Sequence, residues 1–195
     1  MNSTVMDAAG LSASARAPGM PRISFMGPMG IGKTTAIRAL CGDNMVASDV
    51  PNLDRAAHAK EFTTVGAEFG EIDLGDGERV QVCGCPGQDR FDFLRHWVLS
   101  VSVGVFIMVD VNAADAVPST GALLAEAAAA ERPPLTLVLS TRPALPEQMQ
   151  AFAAGLQASG YGVVPVLQVD VRQRAQVLQA LGVLVSMLSL SSEPL

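Results

Sequence analysis

A mixed α/β fold with a mostly parallel sheet is predicted for these 195 residues, and three observations predict it. A glycine-rich stretch, Gly27-Pro28-Met29-Gly30-Ile31-Gly32-Lys33-Thr34-Thr35, separates a short apolar run from a helix-like segment. The turn signal Gly75-Asp76-Gly77 joins two alternating runs as a β-hairpin. Beyond that hairpin, apolar runs and helical patterns alternate to the end of the chain. Parallel strands covered on both faces by helices produce that order.

Each element follows in turn. Residues Met1–Pro21 are rich in Ala, Ser, Gly and Pro without periodicity and read as a mobile arm of residues 1–21. Arg22–Met26 is a short strand. Thr34–Cys41 continues as a helix with Ala36, Ile37, Ala39 and Leu40 on its buried side, and Gly42-Asp43-Asn44 ends it. Met45–Phe62 shows no clear period and reads as a polar loop. Phe69–Leu74 and Glu78–Cys85 form the hairpin. Asp92–Ser100 is a short helix. Ser102–Val111 is an apolar run of the kind that a strand buried on both faces requires. Ser119–Arg132 is an alanine-rich helix stopped by Pro133-Pro134, Leu135–Leu139 a strand, Pro146–Ser159 a helix and Val163–Val169 a strand. Asp170–Leu190 is the last helix, and residues 191–195 are a tail. One domain, residues 22–190, therefore carries the chemistry.

Composition narrows the partners. The formal charge is −6 and the pI is near 4.8, so no basic stripe is present for nucleic acid. Of the thirteen Lys and Arg residues only Lys33 and Lys60 are lysines. Three cysteines make no disulfide framework, and the Cys83-x-Cys85 spacing is a poor zinc pattern. A reduced, cytoplasmic setting is expected. The longest apolar runs, near Val101–Val109 and Val183–Leu190, fall short of a membrane span, so no transmembrane segment is expected.

The chemistry concentrates in Gly27–Thr35, which fits G-x-x-x-x-G-K-[ST] at every constrained position. Backbone N–H groups of such a loop wrap the phosphates of a nucleotide, and its glycines let the backbone turn and approach. Gly27, Pro28, Met29, Gly30, Ile31, Gly32 and Thr35 belong to that cradle. Lys33 reaches the β- and γ-phosphates, and the Thr34 hydroxyl binds Mg²⁺. The helix N-terminus adds unsatisfied donors and a positive dipole end. A chance glycine-rich turn is the alternative.

Further motifs join this one. Thr64-Val65-Gly66-Ala67-Glu68-Phe69, Pro86-Gly87-Gln88 and Val169-Asp170-Val171-Arg172 follow in order. Together the four resemble a small Ras-like GTPase over roughly residues 22–190. TTVGAEFGEIDL, GCPGQDRFDFLRHWVL and VLQVDVRQRAQVLQAL are similar to a bacterial subgroup encoded beside roadblock-type proteins, of the conservon type and akin to the motility-polarity GTPases.

The resemblance implies a P-loop fold of the small-GTPase type, with a six-stranded, mostly parallel sheet and one antiparallel edge strand. It implies GTP and GDP with Mg²⁺ as ligands, slow hydrolysis, and a roadblock-type protein or other regulator at the switch regions. Thr64 would meet Mg²⁺ and the γ-phosphate, with Thr63 as its alternative. Gly87 would sense the γ-phosphate, and Gln88 would orient the attacking water. Arg90 or Arg95 would act as an internal arginine finger, unless either is simply solvated. Asp170 would contact the base or cap the last helix. Ser140 and Thr141 would donate to a base edge or merely end a strand. Trp97, with Phe91 and Phe93, would bind a partner or anchor its helix. Met29 sets a bulky side chain beside the γ-phosphate position, which implies weak intrinsic turnover.

Two departures stand out. Gly84 replaces the Asp that would support Mg²⁺ at the start of the third motif. Ser140-Thr141-Arg142-Pro143 occupies the place of the guanine-reading N-K-x-D. A nucleotide-binding scaffold without efficient hydrolysis or guanine specificity is therefore a second reading. An ATP-dependent phosphotransferase is a third.

Overall fold

A computed structural model describes residues 20–46, 49–51, 62–64, 68–75, 77–87 and 92–192. Residues 1–19 of the expected arm of residues 1–21, together with Gln88, Arg90 and Phe91, lie outside the described residues. Eight strands and five α-helices follow in the order β1 (Arg22–Met26), α1 (Lys33–Cys41), β2 (Asp49–Pro51), β3 (Phe62–Thr64), β4 (Glu68–Gly75), β5 (Glu78–Gly84), α2 (Asp92–Ser100), β6 (Gly104–Val109), α3 (Ala116–Ala128), β7 (Leu135–Ser140), α4 (Pro146–Leu156), β8 (Val166–Gln168) and α5 (Arg174–Ser192).

Six of the strands form one sheet in the order β4-β5-β1-β6-β7-β8. All neighbours are parallel except β4 and β5, which pair antiparallel from Glu68↔Gly84 to Gly75↔Glu78. The expected sheet, with its single antiparallel edge strand, is therefore present. The central strands are apolar on both faces because both faces are covered. Every residue of β1 and of β6 is buried. One layer sets Ile37, Leu40, Val177, Leu181 and Leu184 of α1 and α5 against Phe25, Phe106 and Leu137. The other sets Val98 and Leu99 of α2 and Phe152 and Leu156 of α4 against Met26, Ile107 and Val138. Burying each such side chain contributes about 1.5–3 kcal/mol, and the Phe25 and Phe106 rings meet at 4.9 Å between centroids.

Several boundaries differ from expectation, each for a local reason. Residues 45–62 are not all loop: β2 and β3 pair antiparallel as a separate two-stranded sheet. Helix α3 starts at Ala116, ahead of Pro118. The missing N–H of a proline costs nothing in the first turn, so Pro118 does not delay the helix. Cys41, rather than Ala39, completes the buried side of α1. Strand β8 keeps only Val166–Gln168, because left-handed Gly160 and Gly162 turn the chain before it. Helix α5 begins at Arg174, not at Asp170. The Asp170 carboxylate accepts the Arg172 backbone N–H at 3.1 Å instead, forming a turn that precedes the helix. The helix then extends to Ser192, two residues into the expected tail.

Candidate functional site

The site gathers at the carboxyl ends of the parallel strands, where ligands of open α/β sheets bind. Leaving β1, the chain reaches Gly27 with φ 142°. A Cβ there would lie 2.5 Å from the Met108 carbonyl oxygen of β6, so only glycine fits. Gly32 stands at the start of α1 with φ 115° and ψ 17°, and a Cβ on it would lie 3.0 Å from the Val171 side chain. The loop is thus pressed between the ends of β6 and β8, and α1 leaves it with its first N–H groups facing outward.

Lys33 folds back over this loop, its Nζ donating to the carbonyls of Gly27 at 2.7 Å and Pro28 at 2.9 Å. The ammonium is therefore held above the loop rather than extended into solvent. Thr34, the next residue on α1, donates its hydroxyl to the carboxylate of Glu68, the first residue of β4. Glu68 is 3% exposed. Thr35 faces solvent on α1. Gly87 lies directly on the loop: a Cβ there would be 2.8 Å from the Met29 nitrogen and 3.0 Å from both the Gly27 oxygen and Lys33 Nζ. Phosphate loop and third motif are thus brought together through Gly87.

At the end of β7 the structure selects residues other than Ser140. Ser140 is buried, and its hydroxyl donates to the Arg142 carbonyl at 3.4 Å. Thr141 donates its hydroxyl to the Ile31 carbonyl at 3.1 Å. The Arg142 guanidinium reaches the carbonyls of Ile31 at 3.3 Å and Gly30 at 3.1 Å. A peptide unit is planar and trans, so pinning the Ile31 carbonyl from this side turns the Gly32 N–H to the opposite side.

Asp170 sits beside the loop, next to Val171. Its carboxylate is engaged by Arg172 Nε and Nη2, each at 2.8 Å, and these hydrogen bonds hold it well below the usual carboxylate range. It does not cap α5. Thr64 ends β3, paired with Asp49, and only its backbone is described. Gln88 and Arg90 fall outside the described residues. Arg95 Nε donates to Glu126 of α3 at 3.1 Å, a largely buried ion pair that ties α2 to α3. Trp97 lies beneath the Arg22 guanidinium, 5.3 Å from ring centroid to Cζ, an anchoring contact. Phe93 is 72% exposed.

Glu68 and Arg142 were not legible as site residues from the sequence. The available signal for Glu68 was an acid in register with Gly70 and Ile72 on a buried strand face. For Arg142 it was an arginine one residue beyond a buried strand at the level of the loop.

No family model matches the chain, and no curated protein matches it either. Among solved structures it is similar to a bacterial selenocysteine-specific elongation factor, EF-Sec, with a TM-score of 0.61 and 18% sequence identity, over 90% of this chain. The chain spans 30% of that protein's length. In all, 964 chains of solved structures match, so the fold is widespread and by itself assigns no activity. No helix among the described residues is long and apolar enough to cross a membrane.

Proposed function

We propose that this chain is a small Ras-like GTP-binding switch, of the bacterial conservon-type subgroup encoded beside roadblock proteins. In this reading it binds GTP and GDP with Mg²⁺ in the cytoplasm and hydrolyses GTP slowly. The observation that carries the reading is Gly27–Thr34, with left-handed Gly27, Gly30 and Gly32, Lys33 folded over the loop, and Gly87 seated on it. Strand, loop and helix follow in the order that the phosphate motif requires.

The residues divide the work. Loop N–H groups and Lys33 hold phosphate oxygens and neutralise their charge. Thr34 and Thr64 are oxygen donors of the type Mg²⁺ prefers and would hold it, and a bound Mg²⁺ would supply positive charge against the β- and γ-phosphates. Gly87 lies within contact of Lys33 Nζ and the Met29 N–H, so occupancy of that space is felt by the segment that continues into α2. Gln88 orients water and Arg90 is its cationic neighbour. Ordering and release of the 64 and 87 segments is the switch, read by a roadblock-type or other partner.

One observation favours the scaffold alternative on the question of the base. Thr141 and Arg142 hold the phosphate loop, yet Pro143 and Ala144 follow, and neither carries a carboxylate to accept from guanine. Discrimination between bases depends on such buried hydrogen-bonding groups.

Competition titration with labelled GDP, GTP, ADP and ATP tests the reading. Guanine nucleotides are expected to bind more tightly than adenine nucleotides. Lys33→Ala is expected to weaken binding by about 10–100-fold, the loss of charge-assisted hydrogen bonds. Equal affinity for both bases would leave the scaffold reading, and no binding to any nucleotide would overturn both.

A further inference from the structure

The acid expected at the end of β5 is absent, and Glu68 stands in its space. Glu68 and Gly84 are direct partners in the antiparallel β4–β5 ladder. A Cβ on Gly84 would lie 2.9 Å from Glu68 Oε2 and 3.4 Å from Glu68 Cβ, with the Ile37 side chain of α1 also at 2.9 Å. A side chain at position 84 would require the ends of the Glu68 and Ile37 side chains to shift. Glycine on one strand thus leaves the space in which the carboxylate of the next strand rests.

Glu68 is also in an unusual place for packing. It shares the face of Gly70 and Ile72, which are buried against α1, and is itself 3% exposed. A carboxylate is costly to bury unless its oxygens are hydrogen-bonded. One of them accepts the hydroxyl of Thr34, the residue that follows the phosphate-loop lysine. A hydroxyl that gives its proton to a carboxylate keeps its oxygen lone pairs free to face another partner. Such a partner orients a metal-binding oxygen and raises its donor strength.

We propose that Glu68 is the metal-supporting carboxylate of this site, supplied from β4 in place of an acid at position 84. It positions the Thr34 hydroxyl toward a divalent cation carried in with the nucleotide phosphates. The inference rests on the nucleotide-binding reading above. It adds that metal support resides at the start of β4.

The test measures the affinity of a fluorescent GDP with and without saturating Mg²⁺, and reports the ratio of the two for each protein. The concentration of Mg²⁺ at half-effect is recorded alongside. In the parent chain Mg²⁺ is expected to tighten binding. Glu68→Gln, which keeps the shape and an acceptor for Thr34, is expected to raise the half-effect Mg²⁺ concentration by about 10–100-fold. The double variant Glu68→Ala with Gly84→Asp moves the carboxylate from β4 to β5 and is expected to recover at least part of the Mg²⁺ response lost in Glu68→Ala alone. Circular dichroism establishes that each variant is folded. An unchanged Mg²⁺ response in folded Glu68→Gln, or a parent chain that binds GDP indifferently to Mg²⁺, overturns the inference while leaving nucleotide binding intact. Failure of the parent chain to bind GDP at all sinks the underlying reading instead.

Discussion

Arg142 spans two adjacent carbonyls of the phosphate loop, Gly30 and Ile31, while Thr141 holds the second of them. The bond to Ile31 is half-buried and the bond to Gly30 is exposed, so the brace lies at the rim of the loop. Hydrogen bonds from a charged donor contribute about 1.5–3 kcal/mol, and the exposed share of Arg142 brings the figure to the low end. Arg142→Ala is therefore expected to weaken nucleotide binding by roughly 10-fold, for guanine and adenine nucleotides alike, because the brace acts on the phosphate cradle and not on the base. Calorimetric titration with GDP and ADP checks this. A loss confined to GDP would instead assign Arg142 to the base. At this scale the sequence was legible wherever a residue acts through its own motif, as Gly27, Gly32 and Lys33 do. It was silent where a residue acts through space. Nothing in the local spacing of Glu68 or Arg142 says that β4 begins and β7 ends beside the same loop.

Helix α2 is tied to its neighbours through two residues near its middle, Arg95 and Trp97. Arg22 of β1 sits over Trp97 and donates to Gln81 of β5 at 2.8 Å, while Arg95 pairs with Glu126 of α3. The single tryptophan of the chain is thus a reporter on whether α2 stays docked, and α2 follows closely on Gly87. If nucleotide at the loop displaces the Gly87 segment, the Arg22–Trp97 contact changes with it. Trp97 emission is expected to differ between the GDP form and the form bound to a non-hydrolysable GTP analogue. Identical spectra would mean that α2 does not follow the nucleotide. The elements themselves were largely readable, since β1 and α2 have the expected extents and each hairpin strand lies within one residue of its expected ends. Their edges were less so, because hydrogen bonds rather than periodicity decide them. The helix after β6 is expected from Ser119 but begins at Ala116, since the first turn tolerates Pro118, and the last helix is expected from Asp170, whose side chain instead makes a turn with Arg172.

Across the whole molecule, the sheet separates two apolar layers, and each contains thiols. Cys41 lies in the α1–α5 layer, and Cys83 and Cys85 lie together in the other; all three are free. Cys83 on β5 and Cys85, one residue beyond its end, are two apart and both lie in the same layer. Burial pushes the Cys85 thiol up to about 12 and the Cys41 thiol up to about 11, from an ordinary value of 9.0. Burial likewise raises Cys83, with Cys85 and Glu68 adding to the effect and Arg22 opposing it. The unfolded chain ionises these thiols above pH 9 while the folded chain keeps them protonated. The unfolded state therefore binds fewer protons over that interval, and stability falls as pH rises. This contribution is complete below pH 9 and is lost progressively as pH climbs through the folded values. One unit above 9, each fully buried thiol removes about 1.4 kcal/mol, a large part of a margin of about 5–15 kcal/mol. Urea unfolding at pH 8 and pH 10 is expected to show that loss, with Cys85→Ala showing a smaller difference between the two pH values despite a lower stability at each. An equal difference in the parent and in Cys85→Ala would place the alkaline loss on groups other than the thiol between β5 and α2.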